Sequence, residues 1–221
     1  MEFPIVKRCM DNRPFIILPD NGLTLLSRGY TLNVAHQVLL AFDQPEKSKG
    51  QAYNAGDEQV LTLYQYVKTI CDAMGKSDME IISIPNELVP NPSRPLLRKP
   101  STHHEVFSIG KLVYQLGYKD IVPAREALTL SVKYLAEHFN LSTNQASSFL
   151  HDPFDYETED KIVHYWRNGD MKALKQLKYK NKEPGYTKAG YSPGINPYDG
   201  QDQIQRHSGT FNPATGKREY E

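Results

Sequence analysis

Apolar residues recur along this chain in short blocks separated by proline, glycine and polar turns. Residues 3–12 read as a short helix, and "PFIILP" at 14–19 as a buried strand between prolines, closed by the turn signal "DNG". After the polar "SRGY" comes "TLNVAHQVLLAFDQP", in which Val34, Ala35, Val38, Leu39 and Phe42 fall at helical spacing and Pro45 marks the end. "GQAYNAGDEQVLT" reads as a short strand near 51–55 leaving through a Gly-Asp turn, with Thr62 placed to cap a helix over 63–74 that stops at Gly75. "MEIISIP" is a second strand, ended by Pro85.

The stretch "PNELVPNPSRPLLRKP" is too rich in proline for a regular element, and a sixteen-residue loop of this kind binds or wraps something. "HHEVFSIGKLVYQLGYKD" follows as an extended piece, then Ser108 as a helix cap, then two helical turns ended by Gly117. In "VPAREALTLSVKYLAEHF", Pro123 opens an amphipathic helix with Ala124, Ala127, Leu128, Ser131 and Leu135 along one face. Strand and helix alternate to this point, which predicts an α/β or α+β domain rather than a bundle.

Beyond residue 139 the pattern weakens. "TNQASSFL" and "DYETEDKIVHYWRNGDMKALKQL" read as surface helices. From Lys178 to Glu221 the chain is rich in Gly, Pro, Tyr, Asn and Lys and nearly free of aliphatic residues. It buries too little apolar area to offset its ordering entropy, and is expected to be flexible or draped over the domain. The expected division is therefore 1–139, 140–177 and 178–221.

Composition narrows the function classes. The 26 basic and 26 acidic residues cancel, so nothing steers the 221-residue chain toward nucleic acid or anionic membrane. Cys9 and Cys71 are too few for a disulfide framework or a metal knuckle, and buried packing is the expected role of both. No signal-peptide run and no membrane-length apolar stretch occurs, so a reduced cytosolic setting fits.

Candidate chemistry is sparse. Tyr64 and Lys68 stand four apart on one helix face, the spacing of a catalytic Tyr-x-x-x-Lys pair. They lie about 100° round from the apolar stripe of that helix, in line with Asp72, so a solvated face with a Lys68–Asp72 pair is the expected reading. Gly185, Gly190 and Gly194 are spaced glycines without a strand before them. His103 and His104 are neighbours on an extended segment and point to opposite sides, an arrangement unsuited to one metal. Arg28, just before a helix, and Arg94 and Arg98, in the proline-rich loop, offer forks of donors suited to phosphate or carboxylate.

The order of the segments "RPFIILPDNG", "SRGYTLNVAHQVLLAF", "GQAYNAGDEQVLTLYQYV", "IISIP" and "HHEVFSIGKLVYQLGYKDIVPAREALTLSVKYL" resembles the C-terminal half of an extended short-chain dehydrogenase/reductase, the NAD-dependent nucleotide-sugar epimerase/dehydratase family, over roughly residues 3–138. "RGYTLNVA" stands where that family has Arg-Asp-Tyr or Arg-Asp-Phe before a Val-Asp-Asp-Leu-Ala-like helix start. "YNAGDEQVLT" stands where it has Tyr-Asn-Val-Gly before a threonine-capped helix, and "SIGKLVYQLGY" where it has Asp-x-Ser-Lys-x-x-x-x-Leu-Gly-Trp or Tyr.

The resemblance implies the small substrate domain of a Rossmann-type α/β enzyme. One orphan Rossmann strand near 51–55 and one helix near 33–43 would be left without their sheet. It implies diphosphate contacts from Arg28 and from either Arg94 or Arg98, with Asn33 also at the substrate. Leu32 and Asn33 replace the two aspartates of the family, so a role carried by those acids is not supplied here. The family's glycine-rich NAD loop and its catalytic serine or threonine, tyrosine and lysine would lie before residue 1, and Tyr64 and Lys68 come too late to be that pair. NAD is thus expected in the full-length family and not on this chain, which is expected to be inactive alone. The expected ligand is a nucleotide sugar, with a homo-oligomer or a companion Rossmann chain as partner; a catalytically inert module binding a nucleotide sugar or a protein is the alternative.

Overall fold

The computed structural model describes residues 2–88, 103–138, 152, 154–178, 210–212 and 217–219. Arg94, Arg98 and "TNQASSFL" lie outside them, as does the tail except for two short strands.

Helix α1 (Glu2–Met10) leads into strand β1 (Phe15–Pro19). Strand β2 (Leu25–Leu26) precedes helix α2 (Thr31–Asp43) and the single turn α3 (Pro45–Ser48). Strand β3 (Leu61–Thr62) runs directly into helix α4 (Leu63–Ala73), which returns through Gly75 to strand β4 (Glu80–Ile84). Helices α5 (Gly110–Leu116), α6 (Ala124–His138), α7 (Tyr156–Arg167) and α8 (Met171–Gln176) follow. Within the tail, β5 (Thr210–Asn212) pairs antiparallel with β6 (Lys217–Glu219).

The centre is a parallel pair, β1 beside β4, with Ile16 opposite Ile81 and Leu18 opposite Ser83. Side chains alternate across this ribbon. Ile16 and Leu18 face a layer of α1, α4 and α6, packed against Ile5, Val6, Val67, Ile70 and Val132. Phe15, Ile82 and Ile84 face the opposite way and pack against Ile162 and Val163 of α7 and Leu174 of α8. The architecture is therefore mixed α/β, with helices on both faces of a parallel pair, as alternation in the sequence predicts.

Several expectations are corrected. Helices α7 and α8 are not surface elements: they cover one face of the sheet, and Ile162 and Leu174 are wholly buried. Asp155 and Asp170 start them, each accepting from a backbone N–H three residues on. Residues 51–55 are not a strand. Their polar groups are tied down individually: Gln51 N donates to Ser48 O, Ala52 O accepts from Lys111, and Asn54 donates to Ser108 O, while no strand lies alongside among the described residues. Ser108 is not the cap of α5; Ile109 holds that position, and the Ser108 hydroxyl accepts from Gly110 N instead.

Helix α2 turns its polar side inward. Its buried residues are the polar Asn33 and Gln37, whereas Leu32, Val38, Leu39 and Phe42 point outward, Phe42 with 77% of its surface exposed. Helical spacing made the stripe apparent, but periodicity reports a face and not what covers it.

Other expectations hold. Thr62 caps α4 in a reciprocal box: Gln65 N donates to Thr62 Oγ1 at 3.1 Å, and Thr62 N to Gln65 Oε1 at 3.0 Å. Gly117 ends α5 at φ 71°, the left-handed conformation that favours glycine. Cys9 and Cys71 are both buried in the core, between α1 and α4.

Candidate functional site

Strands β2 and β3 form a small antiparallel ribbon that sets out two loops, "SRGY" after β2 and "NAGD" before β3. The loops touch backbone to backbone. A Cβ on Gly56 would lie 2.9 Å from the Phe107 ring and 3.1 Å from Arg28 O, so a side chain there would push the two loops apart, and one on Gly29 would need Val34, 3.0 Å away, to shift. Asp57 N donates to Arg28 O at 2.7 Å, and Asp57 Oδ1 accepts from Tyr30 N and from Asn33 Nδ2. The carboxylate thereby satisfies an N–H at the start of α2.

Asn33 is wholly buried, with each end of its amide engaged. Its Oδ1 accepts from the backbone N–H groups of Ile121 and Val122, and its Nδ2 donates to Val122 O and Asp57. It clamps the start of α2 to the segment before α6.

Arg28 leaves this rigid turn toward a cavity of about 600 Å³ bounded by the β2 and β3 loops, α1, α4 and α6. Its guanidinium lies over the Tyr66 ring, 5.6 Å from the centroid, and its Nη1 donates to Ser27 O at 3.3 Å. The Tyr66 hydroxyl donates to Glu2 at the start of α1. Burial, and then the adjacent Glu2 carboxylate, push the Tyr66 phenol well above its ordinary range, with Arg28 opposing too weakly to reverse the shift. Tyr66 is therefore a neutral hydrogen-bonding phenol. Gln59, Thr31 and Ser131 add polar groups to the lining, and Leu128, Leu135 and Tyr134 of α6 form an apolar wall.

The structure brings Arg28 to the cavity and places the Asn33 side chain behind it, inside the protein. Arg94 and Arg98 lie outside the described residues. Tyr64 and Lys68 do not line the cavity: Tyr64 is exposed, and Lys68 donates to Asp72 Oδ1 at 2.8 Å and to Ser77 O at 2.9 Å. His104 Nδ1 accepts from Leu25 N. Among the described residues no group of His, Cys, Asp or Glu is placed to hold a metal, and no helix is long and apolar enough to cross a membrane.

Sequence reasoning missed Glu2 and Tyr66. Tyr66 sits beside the buried stripe of α4 and reads as core, and only the fold brings residue 2 to residue 66.

The turn after β1 does not fit the pyrophosphate of a dinucleotide cofactor. A Cβ on Gly22 would lie 2.3 Å from Leu18 Cδ2 and 2.8 Å from Tyr64 N, so this glycine serves close packing of protein on protein. An NAD cradle needs a glycine turn opening onto free space at a helix N-terminus.

No family model matches the sequence, and no curated protein matches it. Among solved structures, the UDP-glucose 4-epimerase of the hyperthermophilic eubacterium Thermotoga maritima, determined with UDP-glucose, is similar with a TM-score of 0.44 and 19% identity. The similarity covers 62% of this chain and 39% of that one, so the chain spans well under half the length of the epimerase.

Proposed function

We propose that this chain binds a nucleotide sugar in the cavity beside Arg28, as the substrate-binding part of an NAD-dependent epimerase/dehydratase-like enzyme. The observation that carries this reading is the presentation of Arg28: a guanidinium on a turn fixed by a glycine–glycine contact and by Asp57 and Asn33, at a cavity of about 600 Å³. Cavities of roughly 300–1,000 Å³ suit ligands of nucleotide size. A fixed fork of donors suits a diphosphate, each charge-assisted bond contributing about 1.5–3 kcal/mol where water is excluded. Asn33 acts by positioning Arg28, and Arg94 or Arg98 supplies a second phosphate contact. The site is assigned to the 1–139 part of the chain, and α7 and α8 brace the sheet.

The sugar chemistry itself is assigned to a companion dinucleotide-binding part. Support comes from the outward stripe of α2, where Leu32, Val38, Leu39 and Phe42 are exposed. Such an apolar face suits a covering sheet. By itself the chain is a binding module, since Tyr66 is a neutral phenol and Tyr64 and Lys68 lie away from the cavity.

The experiment is thermal unfolding of the whole chain with UDP, UDP-sugars and free monosaccharides. A ligand that binds only the folded state raises the midpoint with concentration. UDP and UDP-sugars are expected to raise it and monosaccharides not; no shift with any uridine diphosphate compound contradicts the proposal.

A further inference from the structure

The cavity beside Arg28 has two kinds of wall. Arg28, Thr31 and Gln59 reach it from the turn after β2, the start of α2 and the loop before β3. Helix α6 closes it with Leu128, Leu130, Ser131, Tyr134 and Leu135. Asn33 holds the backbone of Ile121 and Val122 against the start of α2, so α6 begins beside the Arg28 turn, and Tyr134 stands about 15 Å along its axis from Ala124. A ligand held at Arg28 by its phosphate and laid along α6 therefore meets a wall that is apolar apart from Ser131 and the Tyr134 hydroxyl.

Tyr134 is 57% exposed, yet its ring is braced. The His138 ring stacks on it, with centroids 4.1 Å apart and planes 20° apart, and His138 Nδ1 lies 2.9 Å from Tyr134 O. The result is a flat aromatic face held at the edge of the cavity. A hexose carries hydroxyls around its ring and is costly to dry against such a wall. A nucleobase has flat faces that give up water readily and stack on tyrosine.

We infer that Tyr134 is a specificity-determining residue of this site, whose ring takes the base of the nucleotide by stacking, so that the site selects a nucleoside diphosphate over a simple sugar phosphate. This rests on the cavity being the nucleotide-sugar site. Tyrosine suits the role because a rigid ring orders few torsions on binding.

The test is calorimetric titration of the whole chain and its Tyr134→Phe, Tyr134→Leu and Tyr134→Ala variants with UDP and with glucose 1-phosphate. Tyr134 is largely exposed, so the variants are expected to fold as the wild type does, and matching circular dichroism melts check this. Tyr134→Phe keeps the ring face and is expected to bind UDP within about twofold of wild type, whereas Tyr134→Leu, which keeps apolar bulk alone, and Tyr134→Ala are expected to lose about tenfold. Glucose 1-phosphate is expected to bind wild type at least about tenfold more weakly than UDP and to be indifferent to the variants. UDP affinity unchanged in Tyr134→Leu or Tyr134→Ala overturns this inference and leaves the nucleotide-sugar reading standing. So does a loss in Tyr134→Phe equal to that in Tyr134→Ala, which assigns the effect to the hydroxyl, or glucose 1-phosphate binding as tight as that of UDP. No binding of UDP by wild type overturns both.

Discussion

Arg8 Nη1 lies 2.7 Å from Asp152 Oδ2, joining α1 to a residue 144 positions later in the chain. The guanidinium is shared: Nη2 also donates to Glu159 Oε1 of α7 at 2.5 Å, and the Phe154 ring stands 5.0 Å away. Arg8 is 4% exposed and Asp152 wholly buried. Burial opposes the charge on Arg8, but Glu159 and then Asp152 outweigh it, so its pKa rises well above the ordinary arginine value. Removing one partner of a buried ion pair strands the other, at a cost of about 3–5 kcal/mol. Arg8→Ala is therefore expected to lose that much stability in urea unfolding, and Asp152→Ala a comparable amount. A loss below about 1 kcal/mol, the range of exposed pairs, contradicts the network.

The capping box of α4 makes a smaller, local prediction. Thr62→Ala removes the acceptor for Gln65 N and is expected to cost about 1 kcal/mol, while Thr62→Ser recovers most of it. Urea midpoints of the two variants measure the difference.

The thiols test the core. The neighbouring Cys9 thiol, and then burial, push the Cys71 thiol up, the Cys71 S–H donates to Met79 Sδ at 3.8 Å, and both cysteine sulfurs are within the apolar layer of α1 and α4. Neither cysteine is expected to react with a thiol reagent in the folded protein, and both are expected to react in denaturant. Rapid labelling of the native chain contradicts this packing.

The exposed stripe of α2 predicts a surface effect without a stability effect. Replacing Leu39 and Phe42 by lysine is expected to leave the melting temperature nearly unchanged, because neither packs inward. The same change is expected to reduce binding of a hydrophobic dye and any self-association. A large drop in melting temperature would show instead that the stripe is covered within the chain.

These residues also mark what was legible in the sequence. Elements stated by local chemistry were clear: the proline-bounded β1, the Thr62 cap, Gly117, and the buried row Ala124, Ala127 and Leu128 of α6. The surface standing of Tyr64 and Lys68 followed from one helix's own periodicity, and the structure agrees. What failed depended on distant partners. The charged rim of α7 suggested a surface helix, but Glu159 is buried because Arg8 comes to meet it. For α2, periodicity named the apolar stripe but not its cover: the side facing the protein is the polar one, since Asn33 and Gln37 bond to backbone groups of other loops. Arg28 stood out by its residue type and its place before a helix, and it lines the cavity. Glu2 and Tyr66 carried no local signal, because their relation exists only once α1 packs against α4.

The central claim is that Arg28 presents its guanidinium to the diphosphate of a nucleotide sugar. The direct measurement is calorimetric titration of UDP into the whole chain and its Arg28→Ala and Arg28→Lys variants, with folding checked by circular dichroism. Wild type is expected to bind one UDP. Arg28→Ala is expected to lose affinity at least tenfold, as for a lost charge-assisted bond of about 1.5 kcal/mol or more, and Arg28→Lys to recover only part because it lacks the planar fork. UDP binding that is absent in wild type, or undiminished in Arg28→Ala, contradicts the account.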